Sequence, residues 1–190
     1  MKGSRTRRVI DAKQTVDNGV NLEAAVDAQL DDKILHITWQ ANCEWITGVY
    51  VRSTVDGHAE PDGAAVRSKK FSVAADYPEL LAGEDRAPTP IELVLSALAS
   101  CLTGGVAITA QYRGIRLRYI ETIAEGTSDV RGTLAREPGN HNRNSMIAVS
   151  FVIDADATLD EIEGLVAEAQ ERSAVLKLLG ESIDVVVDVK

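Results

Sequence analysis

The sequence predicts an α+β domain organised around one long apolar helix, and three observations carry that reading. Between Leu93 and Ala110 the chain bears no charged side chain, and this stretch opens on a complete helix-start signature. Segments with strand-like alternation lie both before and after it, so strands and helices are segregated rather than strictly alternating. At 190 residues and 45% hydrophobic composition the chain is long enough for one well-buried core.

Element by element, the opening stretch, residues 1–18, is polar and expected to be a flexible segment, leaving 19–190 as a single domain. Val20, Ala24, Val26 and Leu30 suggest a short amphipathic helix. Ile34 to Trp39 alternates as a strand, Trp45 to Val55 continues as a second β segment, and Gly57 with Pro61-Asp62-Gly63 punctuates the turn before a third strand, roughly Ala65 to Ala74. A polar loop from Asp76 to Pro88 then feeds the central helix. Thr89 can serve as its N-cap, Pro90 suits the first helical position, and Glu92 completes a Thr-x-x-Glu capping box. The helix should run to about Arg113, with Gly114 as its stop. Its lack of charge predicts burial on most sides, and Gly104-Gly105 in its middle costs up to about 1 kcal/mol per residue relative to Ala.

Ile115, Leu117 and Tyr119 begin another strand that extends past Ile123; Arg131 to Ser145 is a polar connection, and Met146 to Ile153 is a further strand. Thr158-Leu159-Asp160-Glu161 repeats the capping box and opens a helix with Ile162, Leu165, Val166 and Ala169 on one face. Arg172-Ser173 breaks that pattern. Ser173 fits the N-cap of a short helix over Ala174–Leu179 closed by Gly180, and Ile183 to Val189 reads as the last strand.

Twenty Lys and Arg against 29 Asp and Glu give a formal charge of -9, which argues against phosphate-backbone binding and hence against a nucleic-acid partner. No uninterrupted run of about eighteen apolar residues exists, so no membrane span is expected, and the basic N-terminus lacks the apolar run of a signal peptide. Two cysteines, Cys43 and Cys101, are too few for a disulfide scaffold; a reducing cytoplasm is the expected setting.

Cys101 is the candidate functional residue. A thiol in an Ala- and Leu-rich helix is either an inert small hydrophobe or a nucleophile that the helix holds in place. Nucleophilic work needs a thiolate. Cys101 lies about three turns into its helix, beyond the reach of the helix dipole, so a basic residue must supply the activation. Glu92 has a complete structural explanation as the capping carboxylate. Cys43 falls between two predicted strands, and His36, His58 and His141 show no metal-ligand spacing with either cysteine or with each other, so no metal and no cofactor is expected. Ser96 and Ser100 lack a Gly-x-Ser-x-Gly context.

Gly83-Glu84-Asp85-Arg86-Ala87-Pro88-Thr89-Pro90, followed by Glu92, Ala97-Leu98-Ala99-Ser100-Cys101 and Gly114-Ile115, resembles the OsmC/Ohr family, the osmotically inducible protein C and organic hydroperoxide resistance group. The resemblance covers roughly Ile34 to Lys190. It implies an α+β fold in which antiparallel sheets wrap a long central helix, in an intertwined bacterial homodimer with sites at the subunit interface. It further implies a cysteine-based peroxidase acting on small organic hydroperoxides, with Cys101 as the peroxidatic thiol and Arg52 in the strand region where the activating arginine is expected. Glu92 is the candidate catalytic glutamate the resemblance implies: the strongest peroxidases of the family carry theirs directly after the helix-start proline, which is Ile91 here, and Glu92 comes one residue later, as in other family branches. The resolving cysteine falls at Ser173, and a hydroxyl cannot form the resolving disulfide. Two functions therefore stand side by side: a hydroperoxide reductase resolved by an external thiol, and a redox-inactive dimer holding a small hydrophobic ligand at the subunit interface.

Overall fold

Strand β1, His36–Thr47, turns back on β2, Tyr50–Glu60, through a tight hairpin in which Gly48 takes a left-handed conformation at φ 55° and Trp45 Nε1 donates to the Gly48 carbonyl at 2.9 Å. The computed structural model describes residues 36–60, 68–127, 146–180 and 187. The expected flexible segment to residue 18, the short helix over Val20–Leu30, the turn at Pro61–Gly63, the connection Arg131–Ser145 with His141, and all of the last strand but Val187 lie outside the described residues.

The hairpin corrects the reading that split β1 in two at Gln40–Glu44. Those residues continue the period-2 alternation: Gln40, Asn42 and Glu44 share one face, while Trp39, Ala41, Cys43 and Trp45 share the other. β3, Phe71–Ala75, pairs antiparallel with β2 to complete a three-stranded sheet in the order β1-β2-β3. Directly paired residues share a face. Val51, Val55, Phe71 and Val73 therefore join the two tryptophans on an apolar face, and Arg52, Thr54 and Asp56 lie on the polar one. The apolar face is open: Trp39 is 62% exposed and Trp45 73%. Among the described residues this sheet has no extensive contact with the rest of the chain.

Between β3 and the central helix the chain is pinned rather than loose. Asp76 N–H donates to the Pro88 carbonyl at 3.2 Å, closing the loop at its base, and a single 3-10 turn spans Glu79–Leu81. Ala82 and Asp85 adopt positive φ (64° and 54°), and a Cβ on Gly83 would fall 1.6 Å from the Tyr77 carbonyl oxygen, so only glycine fits there.

Helix α1 runs Pro90–Tyr112 with the capping box formed in full: Thr89 Oγ1 accepts from Glu92 N–H, and Glu92 Oε2 accepts from Thr89 N–H at 2.7 Å and Oγ1 at 2.8 Å. It ends in a Schellman motif. Gly114, at φ 66°, donates to the Gln111 carbonyl and Ile115 to that of Ala110. β4, Leu117–Gly126, and β5, Ile147–Ala155, form a second antiparallel sheet. Helix α2, Leu159–Arg172, repeats the capping box at Thr158 and Glu161, and α3 follows as Ala174–Gly180.

The core lies where α1, α2 and the second sheet meet. Val106, Ala110, Leu165 and Ala169 are buried together, with Ile115, Ile120, Phe151 and Ile153 packed against them. α1 is therefore not buried on most sides. One stripe (Leu98, Leu102, Val106, Thr109, Ala110) is covered, while Ile91, Val94, Ile108 and Tyr112 face outward. By length and composition α1 is apolar enough to cross a membrane, unlike the expectation from uninterrupted runs, because its serines, threonines and glycines carry no charge.

Candidate functional site

α1 and α2 pack antiparallel, and small residues set how closely. A Cβ built on Gly105 would meet Ala169 Cβ at 3.1 Å, so at this point the two helices approach more closely than an added methyl would comfortably allow. One turn before Gly105 on α1 stands Cys101; one turn after Ala169, at the end of α2, stands Ser173. The close crossing brings those two together: Ser173 Oγ donates to Cys101 Sγ at 3.2 Å across 72 residues of sequence. The thiol is half-buried, and Ser173 is 3% exposed.

Ser173 occupies this place because it is the hinge between two helices. Its backbone is extended (φ -70°, ψ 109°), which ends α2, and its N–H still donates to the Gln170 carbonyl. Its Oγ accepts from Leu176 N–H at 3.1 Å and its carbonyl from Lys177 N–H at 3.1 Å, so it caps α3 in the manner expected of a serine at that position. α1 is anchored to α2 at its far end as well, where Arg113 bonds Glu168 at 2.7 Å, and Glu168 also pairs with Arg172.

The other two candidates are not brought to Cys101. Glu92 precedes it by nine residues, roughly 13 Å along a helix, and its carboxylate is engaged by Thr89. The Thr89 backbone N–H, and then its hydroxyl, hold the Glu92 carboxyl below the usual glutamate value. Arg52 is exposed on the polar face of the first sheet, across from Glu44 on β1 and Ala74 on β3. Ile91, at the family's glutamate position, is exposed. Cys43 is an exposed free thiol on the apolar face of β1, paired with Ser53. Among the described residues, no group of three or more His, Cys, Asp or Glu could hold a metal ion.

Sequence reasoning missed a second cluster, in the loop that delivers α1. Asp76 is fully buried. Its Oδ1 accepts from Tyr77 N–H at 2.9 Å, and its Oδ2 accepts from Arg86 N–H and Nε at 3.1 Å each. Burial pushes the Asp76 carboxyl up; the Arg86 and Tyr77 backbone donors and the Arg86 guanidinium outweigh it and hold the carboxyl below the usual aspartate value. The guanidinium also lies over the Tyr50 ring, 4.4 Å from its centroid, which ties the loop to β2. Nothing local marks Asp76 as buried in sequence, since its partner stands ten residues away.

A family model for OsmC-like proteins matches residues 83–188, from this loop through the hinge at Ser173 and beyond. The chain belongs to the OsmC-like family. No curated protein matches it. Among solved structures, a candidate osmotic-stress-induced and detoxification-response protein of Psychrobacter arcticus is 13% identical, covering 73% of this chain and 85% of its own, with a TM-score of 0.53. That likeness shows that the α+β fold, with antiparallel sheets and a central helix, is the OsmC-like one. An OsmC-like protein of Mycoplasma pneumoniae is 16% identical over 78% of this chain and 89% of its own, at a TM-score of 0.49. The organic hydroperoxide resistance protein of Bacillus subtilis is 16% identical over 73% and 89%, at 0.44.

Proposed function

We propose that this OsmC-like protein is a thiol-dependent hydroperoxide reductase in which Cys101 is the reacting thiol. The observation that carries the reading is the Cys101–Ser173 contact, which sets a half-buried sulfur of the family motif against a buried hydroxyl. The Cys101 thiolate attacks the distal oxygen of an organic hydroperoxide; the O–O bond breaks, the sulfur is oxidised to sulfenic acid, and the alkoxide leaves to take a proton from water. With no thiol at Ser173, an external thiol condenses with the sulfenic acid, releasing water and leaving a mixed disulfide. A second external thiol reduces that disulfide and returns Cys101. A thiol-rich cytoplasm supplies both equivalents.

The working unit is a homodimer. The open face of the first sheet, with Trp39, Trp45, Phe71 and Val73, and the outward stripe of α1, with Ile91, Val94, Ile108 and Tyr112, are apolar surfaces that one chain leaves uncovered. A second copy covers both reciprocally. It is also the source of an activating cation, because the described hydrogen bond to Cys101 Sγ within one chain comes from the neutral Ser173 hydroxyl.

Cumene hydroperoxide consumption with a dithiol reductant tests the reading. Wild type should turn over and Cys101→Ser should not; equal, slow consumption by both would overturn it. That a serine hydroxyl rather than a second thiol faces Cys101 favours a second reading, a redox-inactive dimer holding a small hydrophobic ligand at its interface. Native mass spectrometry of the purified protein would then show a retained small molecule, and fast peroxide turnover with none retained counts against it.

A further inference from the structure

The proton inventory of Ser173 says what its hydroxyl does. Leu176 N–H donates into Oγ at 3.1 Å, which fills one of the oxygen's two acceptor positions for the α3 cap and leaves the hydroxyl proton to donate. The neighbour at 3.2 Å is Cys101 Sγ. A thiolate can only accept, and a donor held against it favours the ionised form over the thiol. The donor is rigid, since the backbone N–H and carbonyl of Ser173 are both bonded within the helix ends and its side chain is buried.

We infer that Ser173 is the positioning residue of the site: its fixed hydroxyl donates to the Cys101 sulfur and aims it, from the place where a thiol would close a disulfide. The inference rests on the reading of Cys101 as the reacting thiol. The elements around the sulfur hold other charged groups. α1 carries Glu92, taken up by Thr89; α2 ends in Glu168 and Arg172, paired with each other; α3 carries Lys177; and β4 carries Glu121 and Glu125. The hydrogen bond that reaches Cys101 Sγ among the described residues comes from Ser173, so Ser173 is the group whose removal the sulfur should feel most.

The test is the rate of Cys101 alkylation by iodoacetamide from pH 5 to 10, in the full chain with Cys43→Ser as background. Ser173→Ala should slow Cys101 alkylation severalfold at neutral pH, because the hydroxyl that holds and aims the sulfur is gone. Loss of the α3 cap alone would lower the urea midpoint and leave the profile in place. Superimposed profiles with and without the Ser173→Ala substitution overturn the inference. A second variant keeps it testable should the alanine protein fold poorly. Ser173→Cys, treated with the dithiol oxidant diamide, should form a disulfide with Cys101, two thiols being oxidised as diamide is reduced to its hydrazine. Failure to form that disulfide refutes the placement. Peroxide turnover measured on the same samples separates the two ideas: alkylation slowed by Ser173→Ala without wild-type turnover removes the reductase reading alone, and turnover with superimposed alkylation rates removes the role of Ser173 alone.

Discussion

Exchanging one methyl group across the α1–α2 crossing tests the packing that holds the site. Gly105→Ala gains about 1 kcal/mol of helix propensity, but its new Cβ would sit 3.1 Å from Ala169 Cβ and 3.4 Å from Ala169 Cα. Comfortable carbon contacts are about 3.5–4.0 Å, so the helices must part by a few tenths of an ångström. They have little freedom to do so. Ala169 is flanked by Leu165 and Ser173, one turn to either side on α2, and all three are buried. Overpacking of this kind costs about 1–3 kcal/mol, which leaves Gly105→Ala destabilised by up to about 2 kcal/mol. Ala169→Gly loses about 1 kcal/mol of propensity and about another for the missing methyl. In the double variant the methyl returns to the same gap from the opposite helix and the propensity terms cancel. Its stability should come back to within about 1 kcal/mol of wild type, giving a favourable coupling energy of about 2 kcal/mol. Equilibrium urea unfolding at fixed protein concentration reads all four states. Additivity within about 0.5 kcal/mol would refute the close crossing as the determinant.

Three further outcomes are expected. Thr89→Ala should cost about 0.5–2 kcal/mol by removing the α1 cap, read by thermal unfolding, whereas Thr54→Ala on the polar sheet face should cost less. Glu92 and Glu161 are each held below the usual glutamate value of 4.5, chiefly by the N–H of their capping threonine. Their contribution is therefore present above about pH 4.5 and is lost as pH falls through their folded values, so the melting temperature should drop in acid. The double variant Glu92→Gln/Glu161→Gln should flatten that drop. Asp76→Asn removes the buried charged partner of Arg86 and should lower the urea midpoint more than Glu84→Gln does, because Glu84 is a surface partner at 3.6 Å.

What the sequence made legible was local. Both capping boxes, the Gly114 stop and the serine that caps α3 are decided by side chains within four residues of the groups they satisfy, and all four formed as read. The β1 boundary failed for an equally local reason. Asn42 is a turn former by type, but Gln40, Asn42 and Glu44 were simply the polar half of an unbroken alternation, and the turn went to Gly48, where φ is positive. Contacts between distant residues left no local mark. Asp76 and Arg86 are ordinary loop residues until the chain folds back on itself, and the Cys101–Ser173 contact joins positions 72 residues apart. Local pattern marked Ser173 as a cap and Cys101 as a lone helix thiol, but only the resemblance to a family related the two positions to each other.

The two adjacent glycines of α1 sharpen the remaining question of what covers its outer stripe. Gly105 is explained by Ala169. A Cβ placed on Gly104 would meet nothing within 4 Å, and by helical spacing it lies on the side of Ala97, Ile108 and Gln111, away from the core. In an isolated chain a glycine there costs about 1 kcal/mol against alanine for no packing return. If a second copy lays its own α1 back to back on this stripe, the missing side chain permits the approach, and the sign of substitution inverts. Gly104→Ala should then lower stability despite its better propensity, and Gly104→Leu should reduce the assembly from about twice the 20.4 kDa chain mass towards the chain mass in light scattering. A Gly104→Ala protein about 1 kcal/mol more stable than wild type would mean that nothing packs on this side of α1, and the proposed homodimer would have to be built from the open sheet face alone.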